Sequence, residues 1–293
     1  MGVIKMSLFN MQSLLGKILT DEQLRNNFLN APERVFDGYE LTQREMESLR
    51  NLDTERLIFY TSGINRHRID VAFKAFPLTK FLVSDEIKQF VATYCQEFPP
   101  TLDSAAPALR EFIWFYQFLV RLIADGKLRS KYLEDILEYE KSLFFIENSV
   151  EASRSASEFA RANRMLLDDF TMDLIWNLKP ARGAHGEASS FTYDVIELVS
   201  YLSGREIPEL APKTTYLLFS KIPNEVGVRT SKINKATMDL VSLCDGDRTT
   251  GAVLSKLAGA NDLELERDGA KLAGTCLPIF RQLCKFAVIT FKQ

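Results

Sequence analysis

Hydrolysis, redox chemistry and group transfer need a nucleophile beside a base, or ligands close enough to share a metal. This chain of 293 residues carries two histidines, His67 and His185, and four dispersed cysteines, Cys95, Cys244, Cys276 and Cys284. His67 stands between Arg66 and Arg68 on a helical pattern, which suits an exposed or interface side chain. His185 lies in a Gly-Ala-His-Gly loop in a separate segment, so a metal or proton-shuttle role would rest on it alone. No Cys-x-x-Cys, His-Glu-x-x-His or His-x-His spacing supplies ligands for zinc or iron. A phosphate loop, a dinucleotide fingerprint and a Gly-x-Ser-x-Gly elbow are also missing. Glu134, Asp135, Glu138 and Glu140 crowd one helix, but no Glu-x-x-His follows on another, so they read as a solvated face. Cys244 faces a core, and Cys276 and Cys284 are helical and act as small hydrophobes. The chain therefore reads as one without catalytic, cofactor or metal residues of its own.

The elements that would position a site are clearest near the C-terminus. Two β-type runs, Thr215–Ile222 and Val226–Ile233, flank a Pro-Asn-Glu turn. Asn234 is an N-cap residue, and Met238, Leu240, Val241 and Leu243 follow at helical spacing. A turn at Cys244–Thr249 leads into a helix over Gly251–Ala258, and Leu263–Phe286 is mostly helix with a kink at Pro278. A β-type run, Ala287–Phe291, closes the chain. The outline is a winged helix, a β-hairpin with three helices.

Upstream, Leu8, Met11, Leu14, Leu15, Ile18 and Leu19 begin a small helical unit over residues 1–53, with Thr20-Asp21 and Thr42 as caps. A helical bundle over 54–150 follows: Thr54–Ala75, ended or bent at Phe76-Pro77, then Ser84–Gln96. After Phe98-Pro99-Pro100 come an aromatic helix from Pro107 and a last helix, Lys131–Glu147. Trp114, Phe115, Tyr116 and Phe118 are wider than one buried stripe, and serve either a core or a partner surface. Residues 151–212 connect, with a strand-like alternation over Arg164–Leu178 and a loop over Lys179–Ser190. A short helix within Phe191–Leu202 and a linker from Gly204 to Pro212 complete it. The class is α+β: all-helical N-terminal domains, then the winged-helix domain over 213–293.

Net charge of −3 and a pI near 5.7 argue against nucleic acid as principal partner, because phosphate neutralisation needs a basic surplus. No run approaches the roughly 18 apolar residues of a membrane span. Dispersed thiols and the lack of a convincing signal peptide point to the cytoplasm.

The C-terminal residues carry a specific resemblance. Ile233-Asn234, then Ala236, Leu240, Leu243, Asp245, Gly246, Arg248 and Thr249, then Val253, Leu254 and Leu257 resemble the PqqD-type peptide-recognition domain. This domain is the recognition element for ribosomally made, post-translationally modified peptides. Arg66-His67-Arg68 with Ala72–Leu78, then Phe98-Pro99-Pro100 and Tyr132–Glu140, are similar to the HvfC/BufC family's N-terminal domain, as Ile175-Trp176 is to the end of its strand pair. Phe98 stands where that family usually has His, and Tyr139 where Leu is common. Residues 1–53 resemble the leader-like helical domains of nitrile-hydratase-related precursor peptides, or are a plain helical hairpin.

The resemblance implies an accessory subunit of the HvfC/BufC/MbnC/TglI group. Such a protein works beside a separate TIM-barrel multinuclear non-haem iron oxygenase, so iron belongs to the partner. It implies that a ribosomal precursor peptide binds as a strand added to an exposed edge. The edge falls on Val226, Val228, Arg229, Thr230, Ser231 and Lys232, and the opposite wall on Leu272, Cys276, Ile279 and Leu283. Arg229 and Lys232 either receive an acidic leader or are an ordinary charged edge. The competing expectations are a winged-helix DNA-binding regulator and a standalone enzyme.

Overall fold

Side-chain caps set where the first helices begin. A computed structural model of the protein describes residues 2–99, 107–259 and 265–293, so Pro100 and Leu263 of the sequence reading lie outside the described residues. Helix α1 (Gly2–Thr20) ends at Asp21, whose carboxylate accepts the Leu24 amide at 2.9 Å and starts α2 (Glu22–Asn30). Pro32 opens α3 (Pro32–Phe36), where its missing N–H leaves no helical bond unmade. Thr42 and Glu45 cap α4 (Gln43–Arg50) reciprocally. These helices close on buried Leu14, Ile18, Phe28, Val35, Phe36 and Leu49.

Asp53 caps α5 (Thr54–Ala72). After α6 (Pro77–Val83), the continuous helix expected over Ser84–Gln96 is divided into a 3₁₀ turn over Ile87–Phe90 and α7 (Val91–Glu97). Pro77 begins a helix because its fixed φ suits a first turn. Ser84 and Asp85 then interrupt, as short polar side chains that compete with the helical backbone for hydrogen bonds. Helix α8 (Pro107–Ala124) turns Phe115 and Phe118 fully inward, with ring centroids 4.9 Å from Phe73 and 5.2 Å from Tyr94 respectively. Trp114 and Tyr116 are half-buried, and Ile113 is exposed. Beside these rings, buried Arg68 pairs with Glu111 at 3.0 Å.

The chain forms two compact units, Met1–Glu134 and Asp135–Gln293. Helix α9 (Leu133–Asn148) leads into the second. Ser149 caps α10 (Val150–Asp168), and a single turn, α11 (Met172–Ile175), follows. The strand-like reading of Arg164–Leu178 is thus corrected. Helix α10 buries Ala152, Ala156 and Asn163, residues that leave little apolar signal. Asn163 Nδ2 donates to the Cys284 and Ile289 carbonyls at 3.0 and 2.7 Å.

The loop expected over Lys179–Ser190 contains two strands, β1 (Lys179–Arg182) and β2 (Gly186–Phe191). Their partners are distant in sequence, so Gly, Pro and Ser content misleads there. β1 pairs antiparallel with β5 (Ile289–Lys292). β2 pairs with β3 (Thr215–Lys221), and β3 with β4 (Val228–Ile233), in an antiparallel sheet of order β2-β3-β4. Helices α12 (Val195–Ser203), α13 (Lys235–Leu243), α14 (Thr250–Gly259) and α15 (Leu265–Lys285) complete the unit. Leu218 of the sheet joins Leu240, Val253, Leu254, Phe280 and Leu283 in its core. No helix among the described residues is long and apolar enough to cross a membrane.

Candidate peptide-binding edge

The β3–β4 hairpin turns through Asn224 and Gly227, both at positive φ (62° and 114°), which Asn and Gly tolerate best. The Lys221 amide donates to the His185 carbonyl at 2.9 Å, towards β2. The Ile222 amide points the other way, to the Gly227 carbonyl at 3.5 Å. Backbone direction alternates along an antiparallel ladder. With Ser220 opposite Arg229 and Leu218 opposite Ser231, residues Arg229, Ser231 and Ile233 direct their N–H and C=O groups to β3. Val228, Thr230 and Lys232 direct theirs outward. Sheet order places no strand on that side among the described residues.

Side chains alternate as well. Ser231 and Ile233 border a cavity of about 460 Å³, whose far wall is Pro278, Ile279, Gln282, Leu283 and Phe286 of α15. The Arg229 guanidinium lies over the Phe286 ring, 4.2 Å from its centroid. On the opposite face, Lys232 Nζ meets Asp194 Oδ2 at 2.7 Å, and Lys213 Nζ reaches the same oxygen at 3.2 Å. The hydrogen bond from Lys232 is the largest influence holding the Asp194 carboxyl below its ordinary range.

Of the expected residues, Val228, Arg229, Thr230, Ser231 and Lys232 form the strand and Ile279 and Leu283 the wall. Val226 lies before the strand, 89% exposed in the hairpin loop, because the turn takes up residues as far as Gly227. Cys276 is buried in the core, and Leu272 is half-buried against that same core. Neither borders the cavity: they continue the stripe of Ile279, Leu283 and Phe286 towards the N-terminal end of α15, where the cavity does not extend. Gln282 and Phe286 were readable from that spacing. Asp194 and α12 were not, because nothing local ties them to β4.

Asn234 accepts the Thr237 amide at 2.8 Å and starts α13 immediately after β4. The Asp-Gly turn that follows is architectural. Asp245 Oδ1 accepts the amides of Asp247 and Arg248, Gly246 takes φ 85°, and its amide reaches the Pro180 carbonyl at 2.9 Å. A Cβ on Gly251 would stand 2.8 Å from the Trp176 ring, so glycine lets α14 approach that indole.

Potential chemical groups have structural partners. The acidic cluster on α9 is not wholly solvated: Asp135 and Glu140 are buried, and Asp135 accepts the Thr192 and Tyr193 amides at 3.0 and 2.8 Å. His185 is fully buried between the Ser155 hydroxyl, 2.9 Å from Nδ1, and the Ala287 carbonyl beside Nε2. A carbonyl only accepts, so Nε2 carries the proton and Nδ1 accepts from Ser155. His67 is exposed. Burial raises the thiols of Cys95 to about 11 and Cys244 to about 12, and that of Cys284 further. Among the described residues no group of three His, Cys, Asp or Glu side chains is placed to hold a metal ion.

No protein-family model matches the chain, and no curated protein matches it.

Proposed function

We propose that this protein is a non-catalytic partner subunit that captures the leader of a ribosomally synthesised precursor peptide. The peptide's cysteine-containing end is then presented to a separate TIM-barrel multinuclear non-haem iron oxygenase. The observation that carries this reading is the outward backbone ladder of Val228, Thr230 and Lys232, beside a cavity walled by α15. An extended guest gains main-chain hydrogen bonds along such an edge, while side-chain pockets choose its sequence. The order hairpin, α13, α14, α15 suits the PqqD-like winged helix that the sequence resembles. Tethering raises the effective concentration of the reacting end without any catalytic group in this chain. A DNA-binding role draws less support: α13 and α14 carry only Lys235 and Lys256, and Lys235 pairs with Asp239 at 2.9 Å.

Thr230→Pro tests the reading, because it removes an outward N–H and constrains the edge without removing a ladder bond to β3. Anisotropy of a labelled precursor leader should show at least about ten-fold weaker binding, on the order of 1.4 kcal/mol, with the circular dichroism spectrum retained. Unchanged affinity removes this edge as the site.

A further inference from the structure

The outward side of β4 has a second wall that the winged-helix segment itself does not contain. Asp194, Ile196, Glu197, Ser200 and Tyr201 of α12 and its N-cap border a cavity of about 800 Å³ together with Thr230 and Lys232. A guest strand on β4 would send alternate side chains towards α15 and towards α12. The two walls differ chemically. The α15 wall contributes Ile279, Leu283 and Phe286 and no carboxylate. On the α12 wall, Asp194 is already shared by Lys213 and Lys232, whereas Glu197 forms no ion pair among the described residues. Tyr201 follows Glu197 by one helical turn, on the same face, and is 40% exposed, as Ile196 is at 43%. An unpaired carboxylate beside an aromatic ring and an aliphatic side chain suits a long cationic side chain, which lays its methylenes on the apolar surface.

We propose that α12 reads the second face of the guest, and that Glu197 with Tyr201 selects a lysine or arginine there. Resting on the strand-addition reading above, this defines the guest as an extended peptide with apolar residues facing α15 and a basic residue facing α12.

Selection from a displayed library of random twelve-residue peptides on the immobilised full chain tests it. Peptides that Thr230→Pro loses are those using the edge. Among them, apolar residues should alternate, and Lys or Arg should exceed Asp or Glu at an intervening position by about three-fold or more. Glu197→Lys should reverse this preference. Glu55→Lys, an equal charge change at an exposed residue that lines neither cavity, should leave it intact. Thr230→Pro-sensitive peptides with no basic preference, or a preference that Glu197→Lys does not alter, overturn the role of α12 and leave strand addition standing. Recovery of no Thr230→Pro-sensitive peptide overturns both.

Discussion

At the scale of single residues, a buried histidine acts as a fastener. His185 draws Ser155 and the Ala287 carbonyl together, and burial is the main cause lowering its pKa below the ordinary histidine value. The unfolded chain binds a proton more readily than the folded one. The stabilisation is therefore fully present above the unfolded histidine value of about 6.5 and lost as pH falls through the lower folded value. Denaturant midpoints should drop from pH 7 to pH 5 by more than in His185→Ala. At pH 7 His185→Ala should itself cost about 1–3 kcal/mol by leaving buried partners unmet. A midpoint independent of pH would contradict this tethering role. The thiols make a second residue-scale prediction. Because burial raises the pKa values of Cys95, Cys244, Cys276 and Cys284, a thiol reagent at pH 8 should label the native chain slowly and the unfolded chain at four sites. Fast labelling of folded protein would refute it. The small number of histidines and their separation were plain in the sequence, whereas the burial of Asp135 and Glu140 was not. Charge and spacing alone do not reveal that the Thr192 and Tyr193 amides wait for Asp135.

Among the elements, those with local punctuation were legible. Asn234, Asp21 and Thr42 each cap the helix that their position announces. The β3–β4 hairpin follows from two β-type runs around a turn. Elements defined by remote partners were not legible: β1 forms because β5 lies beside it, and β2 because β3 does. Helix α10 hid because alanines and Asn163 pack closely without a strong apolar stripe. The candidate site divides along the same line. The α15 stripe of Ile279 and Leu283 was visible, while the α12 wall depends on a contact between Lys232 and Asp194 that spans 38 residues. Since all these groove residues lie in the second compact unit, a fragment beginning at Lys131 should bind the same peptide within about three-fold, below 1 kcal/mol. Its folding and affinity can be compared directly with the full chain. A folded fragment that has lost binding would place essential contacts in the first unit.

For the whole molecule, the function we propose divides the work: a partner would supply the chemistry and this chain the proximity. On that proposal, the chain purified alone should carry no stoichiometric iron by elemental analysis, and co-expression with a TIM-barrel iron oxygenase of the proposed kind should give a stable complex that modifies the peptide. Tightly bound iron in the isolated chain would favour an enzyme instead. The most direct test of strand addition is hydrogen exchange read at single amides of the full chain, with and without saturating leader peptide. Arg229, Ser231 and Ile233 should be protected in both states, while Val228, Thr230 and Lys232 become protected only when peptide is bound. Equal, fast exchange at those three amides in both states would contradict a guest paired to β4.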